Sequence, residues 1–397
     1  MRSTAIALLL LGCAGTDAAQ EWRGVVDTLP NGAVRVSNPA PGLWREGTGW
    51  QLVPELELGE SDGLEALMFS AISGLAVDDQ GQIYVLDRQA NELRIFSRAG
   101  KHVRTVGRAG GGPGEYANAN GLLWLPPDTL LVVDQPGDRY TILTPEGEYV
   151  RSVPRQLGFY GWAFSGGEAG RRIYEHSSVG NGTEGRAALL GTSVAGDRDL
   201  ATFRDTVLLP VPPAPTVEFF SIRTDRGGMM MGVPFAPSPE YYLDATGRIW
   251  HGHGSEFRIF RTSFAGDTIM ELVVDAQAAP VTDPELAEWE EGQSVKRFRE
   301  LGGRLDMDRI PKVKPFFDGL YRSPDGHLWV SVPAGADQAT FAILDSAGRY
   351  LGRLEATGVR RYPYVPPVVR NDRLYVAGSD ELDVPKVYVF RIEKRPR

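Results

Sequence analysis

A four-strand unit that recurs along the chain constrains the fold more than any other feature of the sequence. Each copy has a polar or acidic turn with glycine, two apolar strands, a hairpin turn with glycine and a last strand. The clearest copy has its turn at 78–81 and its strands at 83–85, 93–96 and 103–106. Repetition at a period of about 20 to 50 residues is the signature of solenoids, propellers and related arrays.

Six copies begin at turns near residues 81, 128, 171, 247, 326 and 372, at spacings of about 47, 43, 76, 79 and 46 residues. The short spacings match one four-stranded propeller blade. The long spacings require insertions, one of them the Pro-rich stretch at 210–215. The other begins with Asp283 as N-cap and Pro284 at the first helical position, which predicts a short helix or a broken helix pair near 283–301.

The middle strands of these copies are apolar on both sides, as at 130–133. Such strands are typical of sheets buried between two neighbouring sheets, as in a propeller. The sixth copy stops after its third strand, and residues 52–58 resemble the last strand of the first copy. We therefore predict an all-β, six-bladed β-propeller of four-stranded antiparallel blades at 51–397. An N-terminal strand near Leu56 would complete the last blade beside Tyr388.

The run 81–107, followed by a glycine-rich loop that ends in Gly-Pro-Gly-Glu at Glu115, resembles bacterial six-bladed β-propeller proteins related to NHL-repeat proteins. In that family an aspartate follows the inner strand, here Asp87, and a Gly-Pro-Gly-Glu loop ends a blade. The resemblance covers about residues 52–392 and implies the propeller fold. The third copy, from Arg172 to about Leu200, departs most from the pattern.

The N-terminus predicts an export signal followed by a lipid anchor. Arg2 precedes a short apolar stretch at 5–11, and residues 10–13 read Leu-Leu-Gly-Cys, which resembles a lipobox cleaved before Cys13. Cys13 is the only cysteine of the chain, so it has no internal disulfide partner. The main alternative is ordinary signal cleavage after Ala18-Ala19, which would discard Cys13.

From these features we expect a lipoprotein signal peptide at 1–12 and a tether and lead-in segment at 13–50. The protein would then be a lipoprotein of the bacterial cell envelope, facing the periplasm or the cell surface and held by acyl chains rather than by a spanning helix. Ala14 after Cys13 resembles the sorting signal for the outer membrane.

The net charge of the chain indicates which classes of partner it can bind. A formal net charge of −9, without a compensating basic cluster, disfavours nucleic acid. We expect a monomer that contacts the membrane through its lipid anchor alone.

Loops that join strands two and three, and those that lead to the next blade, emerge on one face of a propeller, where a ligand site is expected. Four residues at the starts of inner strands would ring the mouth of the central channel there: Asn120, Tyr160, Glu240 and Asp318. The other candidates for ligand binding are Asp87, Arg108, Glu115, His251 and His253.

These residues leave two functions open. We expect a binding or protein-interaction module for a small molecule, a glycan or a protein. The alternative is a Ca²⁺-dependent hydrolase or lyase, because the Asn, Glu and Asp oxygens suit that cation and distantly resemble lactonase-like propellers. His251 and His253 could also form a metal site with His176 or Asp87, and the glycine-rich loop with Arg108 could hold an anion. For each group a purely structural role is the alternative.

Overall fold

The computed structural model describes residues 21–45, 48–135, 137–155, 166–169, 172–179, 186–193, 204–209, 218–225, 227–335 and 337–394. Over these residues the chain forms a ring of six antiparallel sheets. It begins with three strands that precede the first blade, β1 (Val25–Thr28), β2 (Val34–Pro39) and β3 (Gln51–Leu58).

Blades 1 to 3 follow in chain order. Blade 1 contains β4 (Ile72–Val77), β5 (Ile83–Asp87), β6 (Glu92–Phe96) and β7 (His102–Val106). Blade 2 contains β8 (Gly121–Leu125), β9 (Thr129–Asp134), β10 (Arg139–Leu143) and β11 (Tyr149–Pro154). Blade 3 contains β12 (Gly166–Ala169), β13 (Arg172–Val179), β14 (Arg186–Ser193) and β15 (Arg204–Leu208).

The second half of the ring carries two insertions. A hairpin of β16 (Phe219–Thr224) and β17 (Gly227–Gly232) precedes blade 4, which contains β18 (Pro239–Leu243), β19 (Ile249–His253), β20 (Arg258–Thr262) and β21 (Thr268–Asp275). Helices α1 (Asp283–Glu291) and α2 (Gln293–Glu300) then precede blade 5, with β22 (Gly319–Arg322), β23 (Leu328–Val332), β24 (Gln338–Leu344) and β25 (Tyr350–Thr357). Blade 6 contains β26 (Arg360–Arg361), β27 (Val368–Arg370), β28 (Arg373–Ser379) and β29 (Pro385–Glu393).

The core lies between the blades. Six apolar clusters each join two neighbouring blades, and together they run round the whole ring, including the junction of blade 6 with blade 1. The middle strands therefore bury both faces: all six residues of β9 are buried. This burial explains why those strands are apolar throughout rather than alternating.

The closing strand lies where the sequence places it. β3 pairs antiparallel with β29, with Leu56 opposite Val389 and Glu57 opposite Tyr388. Leu58 is 2% exposed and packs in the cluster between blades 6 and 1. The N-terminal strand thus supplies the outer strand of the last blade, and the prediction of a closed six-bladed ring is confirmed.

The recurrent acidic turn has a structural cause. Asp78 accepts hydrogen bonds at Oδ1 from the amides of Gln80 and Gln82, at 2.9 and 2.8 Å, and at Oδ2 from the Tyr84 hydroxyl at 3.1 Å. Asp244 repeats the arrangement in blade 4, where the indole N–H of Trp250 donates to Oδ2 at 3.0 Å. One aspartate thus closes the turn and fixes the aromatic residue of the next strand.

The lead-in segment is bound along the outside of three blades. β2 pairs parallel with β21 at the outer edge of blade 4, and β1 pairs antiparallel with the other edge of β2. The amides of Leu43 and Trp44 then donate to the carbonyls of Tyr350 and Leu351 on blade 5, at 3.1 and 2.7 Å. Before it completes blade 6, the segment has therefore crossed blades 4 and 5.

The two insertions form one small unit. The described part of the first is the hairpin β16–β17, and the second contains α1 and α2. Phe220 and Met231 of the hairpin pack against Val295 and Phe298 of α2 in a separate apolar cluster. Both insertions lie in connections that lead to the next inner strand, so this unit stands on the face where the inner strands begin, hereafter the loop face.

Three details differ from the sequence predictions. The cap of α1 is Thr282, not Asp283, and its amide donates to Oε2 of Glu285 at 3.0 Å in a capping box. The helix is the broken pair, interrupted at Gly292. In blade 3, which departs most from the repeat in the sequence, strand β13 continues to Val179, while Leu200 and residues 210–215 lie outside the described residues.

Candidate functional site

The inner strands surround a central cavity of about 540 Å³. Its walls come from the inner strands of blades 1, 2, 4, 5 and 6, and they carry aromatic rings such as Trp124, Tyr242 and Tyr321. The inner strands begin on the loop face and end at the tight turns of the opposite face, hereafter the turn face. The cavity therefore has two ends of different composition.

Glu240 lies on the loop-face side of the ring, at the second position of the inner strand β18. Burial is the main cause that raises the pKa of its carboxyl to about 7, and the charge of Asp318 raises it further. The Ser238 hydroxyl donates to Oε1 at 2.7 Å, and this bond and the charge of Arg361 act in the opposite direction. Near neutral pH the side chain is thus close to the point where it gains or loses a proton.

Asp318 stands immediately before β22 and belongs to the same group. Its Oδ1 accepts from the Ser331 hydroxyl at 2.5 Å and lies 3.4 Å from Nη2 of Arg361. The Arg361 side chain is only 9% exposed, and Nη1 reaches the Tyr321 hydroxyl at 3.4 Å. Two carboxylates and one guanidinium therefore gather beside the phenol of Tyr321, which lines the cavity, and this group of side chains is hereafter the acidic mouth.

Asn120 occupies in blade 2 the position that Asp318 occupies in blade 5. Each backbone amide donates to the second strand of its own blade, at 2.9 Å for Asn120 and 3.0 Å for Asp318. The Asn120 side chain is buried, lines the cavity and donates to Oε1 of Gln135 at 2.8 Å. Asn120 thus lies at the loop-face end of the cavity, as expected from its position.

Asp87 holds the chain between the ring-closing strand and blade 1. Its carboxylate accepts from the amides of Ser70 and Ala71, at 2.7 and 3.0 Å, and it is fully buried. Asp134 repeats this in blade 2 by accepting from the Ala117 amide at 2.8 Å. The aspartate of the repeat is therefore engaged with backbone groups.

The glycine-rich loop is occupied by its own side chains. Glu115 accepts from the Gly112 amide at 2.7 Å and pairs with Arg108 at 2.7 Å, and these bonds lower the pKa of its carboxyl. Arg139 donates to the carbonyls of Gly111 and Glu115, at 2.7 and 2.6 Å. The loop presents its carbonyl oxygens to the guanidinium of Arg139, which favours the structural role over the binding of an anion.

The two histidines of β19 are buried. His251 lies between the rings of Tyr241 and Phe260, at 6.1 and 5.3 Å, and burial lowers its pKa to about 4. His253 contacts the Ser255 hydroxyl at 2.8 Å through Nδ1. His251 is therefore a neutral ring within an aromatic stack at physiological pH.

Other candidates lie beyond what the structure describes. Tyr160 and Cys13 are outside the described residues, as is the side chain of His176. Within the described ranges, no three side chains from His, Cys, Asp and Glu gather in an arrangement that could hold a metal ion.

Arg361 and Tyr321 were not predicted from the sequence, although both contribute to the acidic mouth. The inner strand of blade 6 is divided into β26 and β27, and the residues between them include three prolines. This interruption removes the strand pattern that marks the other blades. Arg361 could have been identified from the sequence by looking for the inner strand that must precede the strands of the sixth copy.

A larger groove of about 970 Å³ lies on the side wall, between the lead-in segment and the outer strands of blades 4 and 5. The indole of Trp44 packs on Gly352, where a Cβ would approach it to 2.6 Å, and lies 5.5 Å from the ring of Trp50. Trp44 is thus used to fix the segment to the ring. The central cavity, which gathers titratable groups, is the better candidate.

The closed circle of antiparallel sheets, the shared inter-blade cores and the ring-closing strand define a six-bladed β-propeller, and this chain is one. A family model described as a 6-bladed beta-propeller matches residues 65–138, which include blade 1 and the start of blade 2. No curated protein matches the chain.

One solved structure with a TM-score above 0.5 supports the same architecture, and two others are similar at lower scores. A member of the DUF4221 family from Bacteroides vulgatus is 11% identical, with a TM-score of 0.53 over 87% of this chain and 99% of that one. Virginiamycin B lyase from Staphylococcus aureus is 13% identical, with a TM-score of 0.44 over 86% and 99% of the two chains. Regucalcin, a calcium-binding protein from Agrobacterium tumefaciens, is 11% identical, with a TM-score of 0.39 over 91% and 97%. At these identities the likeness concerns the fold alone.

Neither helix in the described part of the chain has the length and apolar character that a membrane crossing requires.

Proposed function

We propose that this propeller is a binding protein of the bacterial envelope that takes a small polar molecule at the acidic mouth of its central cavity. One observation carries the proposal. Glu240 and Asp318, from neighbouring inner strands, lie close enough for the charge of Asp318 to raise the pKa of the Glu240 carboxyl, which burial brings to about 7. A buried carboxyl group with a shifted pKa, such as that of Glu240, is typical of sites that recognise a ligand.

The groups at the mouth favour a ligand that offers hydrogen-bond donors. Asp318 is an acceptor when ionised, and Glu240 can accept or donate according to its protonation. Arg361 supplies donors on the same side, and the Tyr321 ring forms part of the cavity wall. An amine or a polyhydroxylated molecule such as a sugar satisfies this combination, with its apolar face against the aromatic wall.

Arg361 favours binding over the alternative of Ca²⁺-dependent hydrolysis. Its guanidinium lies 3.4 Å from Asp318 and 3.1 Å from the Ser331 hydroxyl. A fixed cation therefore already neutralises the carboxylate that a calcium ion would need at this mouth. The hydrolase alternative requires Arg361 to move away when calcium binds.

A thermal-shift screen followed by calorimetry tests the proposal. Amines, sugars, short peptides and Ca²⁺ are compared on the wild type, Glu240→Gln and Asp318→Asn, with Glu148→Gln at the exposed rim of blade 2 as the control. We expect at least one amine or sugar to bind the wild type and the control equally, and to bind the two mouth variants at least about tenfold more weakly. Ligands that bind all four proteins alike would overturn the proposal, and a response to Ca²⁺ alone would favour the hydrolase.

The location in the envelope rests on the predicted lipobox. We propose that Cys13 carries the acyl chains and that the lead-in segment joins the anchor to blade 4. Mass spectrometry of the membrane fraction is expected to find a lipidated Cys13 at the mature N-terminus, and Cys13→Ser is expected to release the protein from the membrane. An unmodified N-terminus at Gln20 would contradict the anchor.

A further inference from the structure

The opposite end of the cavity, on the turn face, has the reverse chemistry. Arg322 and Arg370 are the last residues of inner strands β22 and β27, and both line the cavity. Trp124 and Tyr242 occupy the penultimate positions of inner strands β8 and β18 and line it as well. Four polar side chains from four different blades therefore meet at this end.

Two of these side chains have donors without an acceptor. Nε of Arg370 and Nε1 of Trp124 are buried, and neither has a hydrogen-bond partner among the described residues. A buried N–H group without an acceptor is costly, and native proteins rarely leave one. Both residues line the cavity, and an acceptor bound there would satisfy either nitrogen once that side chain turns toward it.

Arg322, Arg370 and Tyr242 belong to blades 5, 6 and 4, and all three line the cavity. Burial, and to a lesser extent the charge of Asp244, raise the pKa of the Tyr242 hydroxyl to about 12, and the charges of Arg322 and Arg370 act in the opposite direction. A phenol beside two guanidiniums is an arrangement suited to oxyanions.

Each of the two arginines that line the cavity has one aspartate partner. Arg322 pairs with Asp244 at 3.0 Å, and Arg370 contacts Asp79. A guanidinium has five N–H donors, so one carboxylate partner leaves donors for a further oxyanion.

We propose that the turn-face end of the cavity binds the oxyanion of a small organic acid, with Arg322, Arg370 and Trp124 as its donors. The apolar walls next to these donors, formed by Leu122, Pro324 and Pro367, favour a carboxylate on a flat apolar body. This inference rests on the proposed function, because it uses the same cavity. It adds that a ligand spanning the cavity carries an anionic group at the turn face and a cationic or hydroxylated group at the acidic mouth.

The test uses benzoate as the probe and benzamide as its uncharged isostere. Calorimetry compares the wild type, Arg370→Gln and Trp124→Phe, with Arg349→Gln as the matched control, because Arg349 pairs with Asp345 on the same face but outside the cavity. Arg370→Gln is preferred to a change at Arg322 because the partner of Arg370, Asp79, is exposed and tolerates the loss.

We expect benzoate to bind the wild type and Arg349→Gln equally, with benzamide at least about tenfold weaker. Arg370→Gln is expected to weaken benzoate at least about tenfold, and Trp124→Phe several-fold, while both variants retain the wild-type thermal midpoint within a few degrees. Equal binding of benzoate to all four proteins, equal binding of benzamide, or no benzoate binding would overturn the oxyanion site. None of these outcomes bears on ligand binding at the acidic mouth, which is tested with Glu240→Gln, so failure of one proposal can be told from failure of the other.

Discussion

Locking the ring-closing strand to its neighbour is expected to stabilise the whole propeller. No covalent bond joins β3 to β29, which are held by backbone pairing and by side-chain contacts such as the ion pair of Lys386 with Glu57, and the two strands come from opposite ends of the described chain. Val53 and Arg391 are paired across the two strands and are not fully buried. Cα atoms of opposed residues in antiparallel strands are about 4.5 to 5.5 Å apart, a separation that a disulfide spans. The perturbation is the double change Val53→Cys and Arg391→Cys, with Cys13→Ser to leave no other thiol.

The size of the effect follows from the length of the loop that the bond closes. A bond between residues 53 and 391 restricts a loop of roughly 340 residues, and the chain-entropy relation gives about 6 kcal/mol of destabilisation of the unfolded state. Strain in the folded protein and residual structure in the unfolded chain reduce such values. We expect about 3 kcal/mol, which raises the urea midpoint by roughly 1 M.

Urea unfolding of the oxidised and the reduced protein, followed by circular dichroism, measures this difference within one sequence. The reduced form is the control for the two substitutions themselves. Equal midpoints for the two forms would refute the reasoning, because they would show that the pairing of β3 with β29 persists when the rest of the ring unfolds. Failure of the bond to form in mild oxidant would contradict the register of the two strands.

Three further expectations concern single residues. A carboxyl group whose pKa is raised on folding binds protons more tightly in the native state than in the unfolded state. The stabilising contribution of Glu240 is therefore complete at pH 4.5 and below, and it is lost as the pH rises through about 7. The free energy of unfolding of the wild type relative to Glu240→Gln should therefore fall by up to about 3 kcal/mol between pH 5 and pH 8, and a pH-independent difference would refute the shift. Asp87→Ala should lower the free energy of unfolding by about 3 kcal/mol, because it leaves the amides of Ser70 and Ala71 without acceptors. A loss below about 1 kcal/mol in urea unfolding would show that water replaces the carboxylate. Phe298→Ala should destabilise the unit formed by the two insertions, so that trypsin cuts within 283–309 much faster while the urea midpoint of the protein stays nearly constant. A large fall of that midpoint would show that the unit unfolds together with the ring.

The propeller could be predicted from the sequence because inter-blade burial leaves a mark on nearly every strand. Strands such as β9 are apolar on both faces, and the turn aspartate, its glycine and the following aromatic residue are tied by hydrogen bonds seen at Asp78 and Tyr84. The closing strand could be identified for the same reason, since it must supply what the sixth copy lacks. Each of these signals is local and periodic, so one sequence is enough to detect it.

The path of the lead-in segment could not be predicted in the same way. All four residues of β1 are exposed, and β2 alternates between buried and partly buried positions, so neither strand carries the fully apolar pattern of the blades. Asn38 shows how specific the attachment is, since its side chain accepts from the Tyr350 amide at 2.8 Å and donates to the Gly348 carbonyl at 3.0 Å. Pairings with residues about 310 positions away leave no trace in the local sequence.

The candidate site was only half predictable, because its two ends depend on different kinds of information. Glu240 and Asp318 follow from counting strands, as each lies at the start of an inner strand and every inner strand begins on the same face. Arg370 could not be found in this way, because its strand lies beyond the prolines that interrupt blade 6. Its buried Nε becomes informative only when the surrounding partners are known, since an orphaned donor is a property of the packed structure and not of the residue type. If both proposals hold, carboxyl groups beside one end of the cavity and arginines at the other would select ligands by the separation of their charges, which the length of the inner strands sets.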